Sequence, residues 1–168
     1  MSPYEFNQII GNADTEAATH EVFDQAYMKW ITHGSEVLSE GEITVYCVET
    51  TFGEVCNGGL DQYLTNESGA FAERCPDALV RVGLPGYAEI MKEMLARCAK
   101  HFVDLEADPD DPRGPYFEWV LKQETDSEPF ADLDDRFFKL YFADKTEFRR
   151  KLFQYIATHE SEFLTPDS

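Results

Sequence analysis

The stretch EVCNGGLDQYLTNESG, from Glu54 to Gly69, gathers groups that could do chemistry: three glycines, two asparagines, a glutamine and three carboxylates. Glycine-rich loops hold phosphate when their glycines fall at set spacings before a helix N-terminus and a basic side chain stands near. Here Gly58 and Gly59 are adjacent, no Lys or Arg lies close, and Glu54, Asp61 and Glu67 would repel a phosphate. The residues suit a structural corner instead. Asn57 and Gly58 tolerate the left-handed conformation that ends a helix, which puts the expected positive φ at Gly58. Gly59 lets the next element start at close range, and Leu60, Tyr63 and Leu64 supply the apolar face of a short helix. Gln62 and Asn66 lie four apart, so their amides are placed to tie down backbone groups around the turns. Asn66, Ser68 and Gly69 then close the segment.

Other chemistries find less support. Cys98 and His101 share a helical face, but a zinc site needs four ligands and no second short-spaced Cys/His pair follows. Glu16/His20 and His159/Glu160 lack the repeated motif of a di-iron bundle. There is no G-x-S-x-G elbow and no cysteine flanked by activating bases. No metal or cofactor is expected, and the chain reads as a non-enzyme. Cys47, Cys56, Cys75 and Cys98 are expected to be small buried hydrophobes of a reducing compartment.

The elements that must carry these residues are helical. Val22, Phe23, Ala26, Tyr27, Trp30 and Ile31 line one face of a helix ending near Gly34. Tyr87, Ile90, Met91, Met94, Leu95, Cys98 and Phe102 form a second stripe behind Pro85, and Phe148, Leu152, Tyr155, Ile156, His159 and Phe163 a third. The segment from Ser39 to Cys56 is ambiguous: Ile43, Val45 and Cys47 alternate as in a strand, and the run is β-branched. Helix is preferred, because Ser39 and Glu42 have capping-box spacing and Val45, Val48, Phe52 and Val55 fit a helical stripe. Residues 104–129, rich in Pro and Asp, read as a long exposed connection with one helical turn near Phe117–Leu121. The expectation is an all-α protein: one domain over residues 1–168, a bundle of about seven to nine short helices.

Charge is the dominant signal. Lys and Arg number 14 against 33 Asp and Glu, for a net charge of −19. It is unevenly placed: residues 1–73 carry −12 with Lys29 the only base, and residues 104–135 carry −10, while the two remaining stretches are nearly neutral. Such a chain repels nucleic acid and anionic membranes and attracts basic proteins or cations. No apolar run approaches the ~20 residues that span a bilayer, and the N-terminus lacks a signal-peptide pattern, so a cytoplasmic location is expected.

The Glu54–Gly69 stretch, followed by DALVRVGLPGYAEIM, resembles the signature of a bacterial family of small helical proteins named for an acidic DNA mimic. The resemblance covers roughly residues 40–165, with LDDRFFKLY and LFQYIATHESEF similar to the family's closing segments. Asn57, Gly58, Gly59, Gln62, Asn66, Ser68 and Gly69 match the motif one by one, while Leu60 stands where an aromatic is expected. These residues imply a fold. The DNA mimic for which the family is named is understood as a dimer that occupies the DNA-binding face of a helix-turn-helix repressor, through surface acids outside the shared motif.

Which acids would do so must be argued from charge. A compact chain of this size is about 40 Å across. Duplex DNA of that length carries about 24 phosphate charges, the same order as −19. The expected contact residues are Asp104, Glu106, Asp108, Asp110, Asp111, Glu124, Asp126, Glu128, Asp132, Asp134 and Asp135, with Glu16, Glu21 and Asp24 as helpers. The expected partner is a basic DNA-binding protein, with a basic toxin such as a nuclease as the alternative. A homodimer that aligned two acidic faces would extend the match.

Overall fold

The computed structural model describes residues 1–12, 14–99 and 129–164. These form seven α-helices: α1 (Pro3–Ile10), α2 (Thr15–His33), α3 (Glu40–Thr65), α4 (Cys75–Val82), α5 (Pro85–Ala99), α6 (Ala131–Ala143) and α7 (Glu147–Thr158). Short 3₁₀ turns occupy Ser35–Val37, Glu67–Phe71 and Glu160–Glu162. The protein is all-α, with no strand among the described residues. The exposed connection expected over residues 104–129, with its turn near Phe117–Leu121, lies outside the described residues apart from Pro129.

The helix starts follow from local chemistry. Ser2 and Glu5 form a capping box on α1, and Ser39 and Glu42 form one on α3. The Asp14 carboxylate accepts from the Glu16 and Ala17 amides at the head of α2, satisfying donors that an unpaired helix start leaves open. Gly34 ends α2 at φ 85°, and Gly83 ends α4 in the left-handed conformation.

Helix α3 is the axis of the molecule. Helices α2, α4, α6 and α7 and the Glu67–Phe71 turn all pack on it. From Gly41 to Glu49 only Glu42 escapes full burial. This all-round burial explains the ambiguous sequence pattern: a helix covered on every side has no polar face, so its 3.6-residue period fades. The β-branched Ile43, Val45 and Val48 are chosen for packing rather than for strand geometry.

Aromatic side chains make the seams. Trp30 of α2 meets Tyr46 and Phe71 edge-on, each at 5.1 Å between ring centroids. Phe52 of α3 stacks on Phe148 of α7 at 3.9 Å and touches Phe137 of α6 and Tyr87 of α5. The expected stripe of α2 holds for Val22 and Ala26, which are buried, but Ile31 is about half exposed and belongs to the outer face. Cys47, Cys75 and Cys98 are buried as expected; Cys56 is exposed, because the helix turns away just beyond it.

Candidate functional site

The corner at Asn57-Gly58-Gly59 divides α3 into two helical stretches, the first ending and the second starting across a kink, as the sequence suggests. Gly58 has φ −155° and Gly59 has φ 78°, after which the helix resumes and runs to Thr65. The positive φ therefore sits at Gly59, and the expectation that placed it at Gly58 is corrected. Gly58 is required for a different reason: a Cβ there would overlap the carboxamide of Gln62, and lie 2.9 Å from the Gln62 Cβ. Gly59 is constrained twice, since a Cβ would also come within 2.9 Å of Asp134 Oδ2.

Asp134 makes that approach for a purpose. Its Oδ1 accepts from the Leu60 backbone N–H at 3.0 Å, so a carboxylate of α6 caps the restarted helix from across the fold. The amides of Gln62 and Asn66 also act differently from expectation. Both donate to one oxygen, Glu54 Oε2, at 2.7 and 2.8 Å. The backbone groups at the turn are instead served by Ser68, whose buried hydroxyl donates to the Tyr63 carbonyl at 2.7 Å. Gly69 packs so close that a Cβ would lie 2.8 Å from the Leu64 carbonyl oxygen. The corner thus fixes a carboxylate, Glu54, that sequence reasoning left without a role.

The expected contact acids divide. Asp104, Glu106, Asp108, Asp110, Asp111, Glu124, Asp126 and Glu128 lie outside the described residues. Asp132, Asp134 and Asp135 stand together at the start of α6. Asp132 pairs with Arg97 at 2.6 Å, and that hydrogen-bonded guanidinium holds its carboxyl at about 2. Asp135 is exposed. On α2, Glu16 pairs with Arg149 at 3.3 Å and faces His20, whereas Glu21 and Asp24 are exposed and share an outer stripe with Met28 and Ile31.

Most bases are consumed inside the fold. Lys29 binds Glu42, Arg74 binds Glu40, Arg81 binds Glu162, Arg97 and Arg136 share Glu93, and Arg149 spans Glu16 and Glu49. Lys92, Arg150 and Lys151 pair with acids close by on the chain. Meanwhile Glu21, Asp24, Glu36, Glu67, Asp77, Asp135 and Glu160 are exposed, with no ion pair among the described residues. Cations are spent on structure, and the surplus anions face water.

Redox and metal chemistry gain nothing from the geometry. Among the described residues no cluster of His, Cys, Asp and Glu could hold a metal ion, and His101, the proposed partner of Cys98, lies outside them. Burial pushes the Cys75 thiol up to about 11 and the Cys98 thiol to about 12, far from a reactive thiolate at neutral pH. Among the described residues no helix is long and apolar enough to cross a membrane.

The fold and its charges define a class: a strongly acidic, all-helical protein whose recognisable corner is architectural. The DMP19-like protein family matches residues 36–159, and the chain belongs to that family. The match begins just before the capping box of α3 and ends just past α7. The family is not a known enzyme family. No curated protein and no solved structure matches the chain.

Proposed function

We propose that the protein is a non-enzymatic acidic binding protein that occupies the DNA-binding surface of a basic DNA-binding protein, such as a transcription factor. The observation that carries this reading is the division of charge: most bases among the described residues are held in intrachain pairs, while Glu21, Asp24, Glu67, Asp77 and Asp135 are outward and form no ion pair among those residues. Membership of a family of DNA-mimic type supports it. Helical carboxylates three or four residues apart stand ~5–6 Å from each other, close enough to present a row of negative charge. Glu21 and Asp24 make such a pair, and Met28 and Ile31 extend it with apolar surface for a partner to bury. Asp104 to Asp135 supplies the second acidic block, and a homodimer would align two copies of each.

The test uses the purified protein as bait in native extract, with bound proteins eluted by a salt gradient. Retained DNA-binding proteins should leave at modest salt, since surface charges are screened beyond ~8–10 Å near physiological ionic strength. Duplex DNA should displace them competitively. The charge reversals Asp108→Lys, Asp110→Lys and Asp111→Lys, and separately Glu21→Lys with Asp24→Lys, should slow association more than they speed dissociation. A retained nuclease toxin in place of a repressor would assign the protein to toxin immunity. Binding indifferent to salt, DNA and all five substitutions would overturn both readings.

A further inference from the structure

A cleft of about 400 Å³ opens among α2, α3, α6 and α7, away from the outer stripe of α2. Phe23, Phe52, Tyr141 and Phe148 form its walls, and His20, Glu49, Glu54 and Arg149 bring polar groups to it. Its size falls within the usual range for small-ligand sites, which mix apolar walls with a few placed polar groups.

Three features give the cleft a chemical preference. First, Glu49 is only 7% exposed, and burial raises its carboxyl even though Arg149 Nη1 donates to it at 3.2 Å. Arg149 is divided, with its other nitrogen turned to Glu16, so it does not fully offset the cost of that buried charge. Second, Glu54 is pinned by Gln62 and Asn66 and cannot fold away from the cleft it lines. Third, the Arg149 guanidinium lies 5.0 Å from the Phe148 ring centroid, between Glu16 and Glu49, and shows what these walls accept: a cation over a ring, between carboxylates.

Gly53 adds an independent observation. It lines the cleft from within α3, where glycine weakens a helix relative to alanine. Its φ is not positive, and a Cβ placed on it would meet nothing within 4 Å. Neither the backbone nor the packing calls for glycine there. What its missing side chain does is leave the cleft open.

We propose that this cleft binds an organic cation, a guanidinium or ammonium group on an aliphatic stem. The charged head would sit between Glu49 and Glu54, and the stem would lie along Phe23, Phe52 and Tyr141. An anion would meet two carboxylates, and an uncharged apolar molecule would add no counter-charge to either. The same head group occurs on a free amine and on a basic side chain of another protein. The inference rests on the cleft alone, so its failure leaves the reading of the acidic surface untouched.

The experiment titrates the full-length protein, followed by calorimetry and amide NMR, with agmatine and with the capped tripeptide Gly-Arg-Gly. The capped tripeptide Gly-norleucine-Gly serves as the uncharged control. Saturable binding of a cationic probe that shifts the amides of Thr50 to Cys56, with none by the control, is the expected result. Tighter binding of agmatine assigns a free amine as the source, and tighter binding of the arginine peptide assigns a protein side chain. Gly53→Leu fills the cleft and favours the helix, so it should weaken binding at least about tenfold while the melting temperature holds or rises. Glu54→Gln should weaken it by about tenfold with the fold intact. If neither cation binds saturably, or if binding survives Gly53→Leu unchanged, the proposal is wrong and any residual affinity is diffuse attraction to an acidic surface.

Discussion

Two carboxylate–arginine pairs in this protein have opposite character: Arg97 grips Asp132 with two short hydrogen bonds, whereas Arg149 gives Glu49 one longer bond and turns also to Glu16. Glu49 meets Arg149 at 3.2 Å and Asp132 meets Arg97 at 2.6 Å. The Glu49 side chain is 6% exposed and the Asp132 side chain 63%. Burial raises the first carboxyl above its ordinary value, while the hydrogen-bonded guanidinium draws the second down to about 2. The difference teaches that an arginine alone does not decide the state of a carboxylate here. Burial and hydrogen-bond geometry decide it together: desolvation outweighs the single bond to Glu49, while two short bonds from Arg97 hold the exposed Asp132 low.

The largest effect should come from breaking the buried pair. Arg149→Met leaves the buried Glu49 carboxyl without its guanidinium, and should lower stability by about 3 kcal/mol in urea denaturation. Adding Glu49→Leu should recover most of that loss, since removing both ions also removes the desolvation cost. A double variant as unstable as the single one would show that Arg149 acts by packing on Phe148 rather than through charge.

Between the extremes stands Asp134, half-buried and reaching across the fold. Asp134→Ala removes the cap on Leu60 and should cost about 1 kcal/mol, with hydrogen exchange accelerated from Leu60 to Leu64. At the exposed end, Arg97→Ala should cost less than about 1 kcal/mol even though it severs Asp132 and Glu93 together. A loss equal to that of Arg149→Met would erase the contrast.

The two pairs should also separate by pH. Asp132 has a folded value below that of the unfolded chain, about 3.9. Its contribution is therefore complete above that value and fades as pH falls toward about 2. Glu49 runs the other way: the folded state holds its proton more tightly, so its contribution is complete at low pH and lost as pH rises through its raised value. Urea midpoints across pH 2–7 should show Asp132→Asn flattening the acid limb and Glu49→Gln removing the decline above it.

Helices with one wet side were legible in the sequence. The stripes of α5 from Tyr87 to Cys98 and of α7 from Phe148 to Ile156 stand where their apolar periods put them, because a single buried face leaves a clear 3.6-residue rhythm. His159, which is exposed, and Phe163 lie past the end of α7, and Phe102 lies outside the described residues. Helix α3 blurred because its first half, from Gly41 to Glu49, is covered on nearly every side. The Asn-Gly-Gly corner was visible as a turn, but three permissive residues in a row do not reveal which takes the positive φ. The role of Glu54 was invisible for a related reason. Its partners sit eight and twelve residues ahead, and only the kink brings their amides back over it. Gly53 carried no signal, since a lone glycine in a helical pattern does not disclose an open space beside it. The acids of residues 104–128 were legible only as composition.

The cap on Leu60 has a consequence during synthesis. Its acceptor, Asp134, lies 74 residues further along the chain. At ≈5–20 residues per second, the ribosome takes roughly 4–15 seconds to reach it after making Leu60. Over that interval the restarted half of α3 leaves the ribosome with its first amide uncapped, while the half before the kink already holds its own Ser39–Glu42 box. The nascent protein should therefore acquire α3 in two instalments, the second completed only when α6 arrives.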